Sequence, residues 1–129
     1  MEPAEKFLAI NTDELEWEDG EKFLSLPPGV KIKIIAKGRD AVSDRRDLFV
    51  QFPPGYREPR HTHVQFHSIL VLEGEMHVAG KVLKRGDYVY GGGVEEEAAH
   101  GPYHYPVGCT VFASTRAVEL KSHEHRLAE

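Results

Sequence analysis

The sequence predicts an all-β domain, either a sandwich or a barrel built from short strands. Several segments alternate apolar and polar residues with the two-residue period of a half-buried strand. Gly and Pro residues that form turns separate these segments. No long segment has the 3.6-residue period of an amphipathic helix. Many short strands between Gly- and Pro-rich turns are typical of sandwiches and barrels.

Length and composition narrow the class of protein. The 129 residues suit one domain, and 40% hydrophobic residues are enough for a core without disulfides. The net charge of -5, with no basic run, argues against nucleic acid or an anionic membrane as a partner. Cys109 is the only cysteine, which fits a reducing compartment. No signal peptide and no apolar run of about 20 residues is visible, so we expect a cytoplasmic protein.

The chain begins with an arm and two strands. Residues 1–29 are predicted to be an N-terminal arm that packs Trp17, Phe23 and Leu24 onto the body, and a Pro-Pro-Gly turn closes it. Residues 30–36 and 47–52 alternate as half-buried strands, and the polar segment between them is predicted to be a turn.

The remaining strands extend to residue 121. A strand is predicted at 68–72, hairpin turns follow at 73–75, 80–81 and 85–87, and the three glycines from Gly91 begin a loop. Further strands are predicted at 76–80, 81–84, 88–90, 109–114 and 117–121. The barrel is therefore predicted to span residues 30–121, and residues 122–129 form a polar C-terminal tail.

The segment from Gly55 to Gly74 contains three closely spaced histidines, His61, His63 and His67. On an extended backbone, residues two apart leave the same face, so His61 and His63 can approach one metal ion. Several imidazoles together suit Fe, Ni, Mn, Cu or Zn, whereas Mg and Ca prefer oxygen ligands. Without a carboxylate ligand, the ion keeps its full charge and attracts an anionic oxygen ligand.

This segment resembles the first motif of the cupins, which is Gly, five residues, His-x-His, three or four residues, Glu, six residues and Gly. Gly55, His61, His63 and Gly74 have the expected spacing, and His67 stands where the family usually has Glu. Gly86-Asp87 resembles the start of the second motif, which here continues differently and reaches His100 about three residues late. The segment around 99–112 and the arm resemble the acetylacetone-dioxygenase-like and ChrR-like anti-sigma-factor group of RmlC-like cupins.

The resemblance implies a cupin β-barrel, a double-stranded β-helix or jelly roll, that holds one divalent transition metal and forms a homodimer. The ligands that it implies are His61, His63, His67 and His100. It favours Fe(II), with Zn, Ni or Mn as alternatives. His67 has a second interpretation as part of the pocket wall, and His104 is the rival of His100. His123 and His125 repeat the His-x-His spacing, but a solvated tail is the favoured interpretation.

An apolar pocket around the metal is predicted to include some of the nearby aromatic and histidine residues, although the barrel core is the favoured interpretation for each aromatic residue taken singly. The candidates are Phe66, Tyr90, Tyr103, His104 and Phe112. Arg57 and Arg60 flank the motif and are candidates for holding a substrate carboxylate.

Three functions compete. The resemblance favours a dioxygenase that cleaves a C–C bond in a small diketone-like or aromatic ketone substrate with dioxygen. The alternative is a non-catalytic sensor or regulatory cupin that binds a metal or a small molecule. A metal-free isomerase with a histidine base is the third, and the clustering of histidines disfavours it because one acid and one base would suffice.

Overall fold

In the computed structural model of the protein, the described residues form two antiparallel sheets. The structure describes residues 9–20, 28–37, 45–58, 61–93, 102–117 and 125–127; of residues 36–37, 45, 61–67, 91–93, 116–117 and 125–127 it describes the backbone alone. The elements are the 3₁₀ helix η1 (Thr12–Glu14) and the strands β1 (Glu18–Asp19), β2 (Lys31–Lys37), β3 (Arg45–Phe52), β4 (Tyr56–Glu58), β5 (His61–Gly74), β6 (Met76–Val78), β7 (Lys81–Leu83), β8 (Tyr88–Gly93), β9 (Tyr103–Tyr105), β10 (Cys109–Ala117) and β11 (His125–Leu127).

The larger sheet has the order β1-β2-β3-β10-β5-β11, and β8 pairs with β5 as well. The smaller sheet has the order β4-β9-β6-β7. All the pairings are antiparallel, and most join strands that are distant in sequence, such as β3 with β10. The all-β prediction is confirmed, and the jelly-roll architecture fits the two sheets.

The core lies between the two sheets. Alternate residues of β3 and β10 are buried there, as the sequence alternation predicts, and Val71 of β5 joins them. The ring of Phe52 from the larger sheet stacks on Tyr105 from the smaller one, with 4.0 Å between the ring centroids. The other core residues with under 2% exposure are Val30, Ile32, Leu48, Val71, Met76 and Val111.

The N-terminal arm contacts β2 through a charged side chain. The Nζ atom of Lys33 lies 4.9 Å from the centre of the Trp17 ring and donates a hydrogen bond of 3.1 Å to the carbonyl of Thr12. Strand β1 also pairs with the start of β2. Trp17 therefore packs against the body, whereas Phe23 and Leu24 lie outside the described residues.

The strands differ from the sequence prediction at several places. Strands β1, β4 and β9 were not predicted, and β5 begins at His61 rather than at residue 68. Strand β3 begins at Arg45, within the predicted polar turn, and β8 continues through the glycines that were predicted to start a loop. Residues 125–127, within the predicted tail, form β11. In each case a neighbouring strand supplies the backbone partners, and such long-range pairing overrides local propensity. Of the predicted strand at 117–121, residues 118–121 lie outside the described residues.

Among the described residues, no helix has the length and apolar character needed to cross a membrane.

Candidate functional site

Strand β5 brings three histidine positions to one face of the larger sheet. His63 lies opposite Gly93 of β8, and His67 lies opposite Gly91. Because the two glycines are two residues apart on one strand, they and their partners share a face. The irregularity in β5 between 63 and 66 therefore leaves this relation intact. His61 lies two residues before His63 in a regular pairing with β11, so it lies on the same face.

This face is the inner one. The pairing of β5 with β10 is regular from His67, opposite Thr115, to Val71, opposite Val111. His67 therefore shares its face with Ile69 and with Val71, which is 1% exposed in the core. The histidine positions and the apolar core follow one another along the inner side of the same strand. We call the end of the sheet where β5 begins the histidine end.

The neighbours of these positions fit a metal site. Gly91 and Gly93 have no side chains, so these two positions of β8 place no side chain beside His63 and His67. Imidazole nitrogen is a suitable donor for the transition metals considered above. Among the side chains that the structure describes, no three His, Cys, Asp or Glu residues meet at a common point. His100 and the side chains of the β5 histidines lie outside that part.

A buried carboxyl group faces the interior from the smaller sheet. Glu58 is 7% exposed and lies opposite Tyr103 of β9, which is also buried. Burial raises the pKa of Glu58 to about 7, because a carboxylate loses its hydration there. Burial, and then the charge of Glu58, raise the pKa of the Tyr103 phenol. The interior therefore favours the neutral form of both groups.

His104 lies on the outer face of the smaller sheet. It alternates with the buried Tyr103 and Tyr105 and lies opposite Arg57 and His77. Its ring centre is 5.8 Å from that of His77, whose Nε2 lies 2.9 Å from a carboxylate oxygen of Glu75. Partial burial lowers the pKa of His104, and the neighbouring positive charges of Arg57 and His77 lower it further.

The other predicted pocket residues take different positions. Tyr103 lies in the core, whereas Tyr90 is 63% exposed. The ring of Phe112 forms an edge-to-face pair with Phe49, and both positions alternate with buried residues of their strands, so they lie on the outer face. Tyr90 of β8 and Phe112 of β10 therefore lie on the outer face, which argues against a place for them in the pocket wall. Phe66 lies on β5 and its side chain is outside the described part.

Arg46 lies on the inner face, whereas the sequence predicted a turn at this position. It alternates with the buried Leu48, Val50 and Phe52 of β3 and lies opposite Thr115 of β10. Its Nε atom is buried, and no hydrogen-bond acceptor for it is found among the described residues. A signal in the sequence could have identified it. Arg46 lies two residues before Leu48, so it continues the alternation of the buried residues of β3.

Strand β11 brings a further histidine beside the motif. His125 lies opposite His63, and opposite residues of an antiparallel pair share a face. His63 pairs with β8 on one edge of β5 and with β11 on the other edge. Strand β10 pairs with this second edge as well. Residue 125 therefore belongs to the same inner face as the three β5 histidines, although the sequence favoured a solvated tail.

Solved structures of low sequence identity share this fold. A proposed acetylacetone dioxygenase from Methylibium petroleiphilum has a TM-score of 0.65 and 17% identity over 93% of this chain and 86% of its own. The polyketide cyclase RemF from Streptomyces resistomycificus has a TM-score of 0.69 and 18% identity over 95% of this chain and 86% of its own. The anti-sigma factor ChrR from Rhodobacter sphaeroides, solved with SigE, has a TM-score of 0.58 and 22% identity. That match covers 81% of this chain and 51% of ChrR.

No functionally curated protein sequence matches the chain. The family model of the ChrR cupin-like domain matches residues 5–119, which include the smaller sheet, the larger sheet except β11, and all the β5 histidines. The glycine and histidine spacing, the two antiparallel sheets and this match agree, and the chain belongs to the ChrR cupin-like family of the cupins.

Proposed function

We propose that this cupin is a metal-dependent dioxygenase that cleaves a C–C bond in a small diketone-like or aromatic ketone substrate. The observation that carries the proposal is the register of β5, which brings His61, His63 and His67 to the inner face at the histidine end. The proposed ligands are these three residues and His100, and the proposed ion is Fe(II). Zn, Ni and Mn accept the same donors. The fold shared with the proposed acetylacetone dioxygenase supports this reaction class.

The outer position of His104 favours His100 as the proposed fourth ligand. His104 lies opposite Arg57 of β4, between the buried Tyr103 and Tyr105. His104 lies on the outer face, where it would need the strand to reverse its alternation to reach the interior.

The histidine set determines which substrates the site favours. When bound, a divalent ion supplies Lewis acidity that stabilises an enolate and brings it beside dioxygen. His67 contributes a neutral imidazole where a carboxylate is usual, so these residues add no negative charge to repel an anionic oxygen ligand. The apolar side chains of Ile69 and Val71 lie next along the same face and exclude water from the inner side of the site.

Metal content and oxygen uptake test this proposal. Protein reconstituted anaerobically with Fe(II) is expected to hold one ion per chain and to consume dioxygen with members of a diketone panel. His61→Ala/His63→Ala is expected to lose the metal and the activity. His104→Ala, on the outer face, is the matched control and should retain both. Absence of oxygen uptake with every metal and diketone would refute the catalytic proposal.

A non-catalytic sensor is the second candidate, favoured by the family model and by the structure of ChrR in complex with SigE. This candidate predicts a stable heterologous partner and a tightly held metal, such as Zn, that has no open coordination position. Co-purification of a stoichiometric partner together with an absence of oxygen uptake would favour it over the dioxygenase.

The homodimer implied by the resemblance is also a proposal. Leu70 and Tyr88 lie opposite one another on the outer face and are 37% and 59% exposed. An exposed apolar patch of this kind is typical of an association surface, and the occupant that we propose is a second copy of the chain. Light scattering after size exclusion is expected to give twice the 14.5 kDa mass of the chain. A monomer mass would contradict it.

A further inference from the structure

Arg46 lies in the same row of residues as His67. Across the larger sheet, Arg46 of β3 is opposite Thr115 of β10, and Thr115 is opposite His67 of β5. Opposite residues of antiparallel strands share a face, and this row lies on the inner one. The row also lies near the histidine end, beyond the buried level of Leu48 and Ala113.

The spacing allows a single ligand to reach both residues. Neighbouring strands lie about 4.8 Å apart, so two strand spacings place the backbones of Arg46 and His67 about 10 Å from one another. Thr115 lies between them, and its hydroxyl donates to the carbonyl of Arg46 at 3.5 Å. Threonine has a short side chain, so we expect a ligand to be able to pass over it from the histidines towards β3.

Among the described residues, the Nε donor of Arg46 has no acceptor. Its Nε atom is buried, and within the described part of the chain no hydrogen-bond acceptor reaches it. A buried donor without a partner is costly, because it has lost its hydrogen bonds to water. A ligand oxygen would remove that cost. Guanidinium groups suit carboxylates especially, since two parallel N–H groups match the two oxygens.

The other described cations near the interior have partners or positions that exclude this role. Lys33 is buried, but it contacts the Trp17 ring and the Thr12 carbonyl. Arg57 is exposed and lies opposite His104 on the outer face of the smaller sheet. The sequence made Arg57 a candidate for binding a substrate carboxylate. Because Arg57 lies on the outer face, Arg46 is better placed for this role.

We propose that Arg46 binds a carboxylate group of the substrate, so that the enzyme acts on a diketone-like acid rather than on a neutral diketone. This inference rests on the proposed function, because it assumes that the dione group of the substrate binds at the histidine end. It also says what binds the other end of the substrate, because Arg46 lies about two strand spacings from His67. The proposed substrate class is therefore narrower than before. Arg46 is then a specificity-determining residue of the inner face.

The test compares an acid with its methyl ester, which lacks the negative charge and carries one more methyl group. The probes are 4,6-dioxoheptanoate, whose carboxylate is separated from its dione by two methylene groups, and its methyl ester. Dissociation constants are measured by calorimetry on the full chain, metal-loaded and without oxygen. The wild type is expected to bind the acid roughly 10- to 100-fold more tightly than the ester, the range of a charge-assisted hydrogen-bond pair.

Variants assign this preference to Arg46. Arg46→Gln is expected to reduce it to less than about 3-fold, chiefly by weakening the binding of the acid. Arg46→Lys keeps the positive charge but lacks the two parallel N–H donors, so it should retain an intermediate preference. Arg57→Gln, on the outer face, should behave as the wild type does. Circular dichroism and metal content confirm that each variant is folded.

The outcomes separate this inference from the proposed function. Equal binding of acid and ester by the wild type, failure of the acid to bind, or a full preference in Arg46→Gln would each overturn the assignment of Arg46. Absence of oxygen uptake together with a preference that depends on Arg46 would refute the dioxygenase and support the anion site. Oxygen uptake with neutral diketones and no effect of Arg46 would do the opposite.

Discussion

Glu58 is expected to make the stability of the protein fall as pH rises. Its pKa is raised from an ordinary value of 4.5 to about 7 in the folded state, because the carboxylate is buried. The folded state therefore binds this proton more tightly than the unfolded state does. Stability from this group is fully present below about pH 4.5, is lost as pH rises through about 7, and is absent above it.

The magnitude follows from the two pKa values. The interval from 4.5 to about 7, at 1.36 kcal/mol per pKa unit, corresponds to about 3 kcal/mol of unfolding free energy. Glu58→Gln replaces the carboxyl with a neutral group of the same shape and removes the proton. The variant is expected to match the wild type near pH 4.5 and to be more stable by up to about 3 kcal/mol at pH 8.

Urea denaturation at pH 4.5, 6, 7 and 8 measures this difference. Other groups titrate in both proteins, so the difference between them isolates residue 58. Glu73→Gln, at an exposed position, controls for the loss of one negative charge and should show no comparable trend. A Glu58→Gln curve parallel to that of the wild type, or a variant less stable at pH 8, would show that burial does not control this carboxyl.

Further predictions concern the turns, the core and the histidine row. Gly74→Ala is expected to cost about 3 kcal/mol or more in thermal unfolding, because its φ is +82° and an added Cβ would lie 2.2 Å from the Gly108 carbonyl oxygen. Gly80→Ala, at a φ of +73° with open space, is the matched control at about 1 kcal/mol, and equal losses would refute the steric argument. Tyr56→Phe removes a buried hydroxyl that has no hydrogen-bond partner within the described part of the chain, so urea midpoints should be unchanged or higher, and a loss above about 1 kcal/mol would reveal a partner. His67→Glu adds a negative charge to the inner face and should weaken calorimetric binding of 4,6-dioxoheptanoate by about 10-fold; unchanged affinity and metal preference would show that the histidine is not selective.

Local patterns in the sequence predicted much of the fold. The alternation of Leu48, Val50 and Phe52 predicted a half-buried strand and identified its buried face, because a strand has a period of two. The glycines at 55 and 74 predicted turns, and both have positive φ in the structure. The spacing from Gly55 to Gly74 also predicted the cupin family, to which the chain belongs.

Long-range pairing decided what the sequence could not predict. Arg45 and Arg46 are charged and follow a polar segment, so they were assigned to a turn, yet β10 supplies backbone partners for both. Gly91 and Gly93 have low strand propensity, and β5 nevertheless pairs with them. His125 follows the same rule, because the free edge of β5 beyond β10 accepts another strand. Propensity is local, whereas these partners lie up to about 70 residues away.

The inner face combines three electrostatic features that together favour one kind of ligand. His67 replaces the usual carboxylate, so the histidine row is expected to leave the charge of a divalent ion uncompensated. Arg46 adds a permanent positive charge in the same row, since guanidinium stays protonated at any physiological pH. Glu58, the buried carboxyl of the smaller sheet, has a pKa of about 7 and is largely neutral below that pH. A dianion with an enolate at one end and a carboxylate at the other would complement all three. A neutral diketone would offer Arg46 no carboxylate, and the same interior is therefore expected to bind it less tightly.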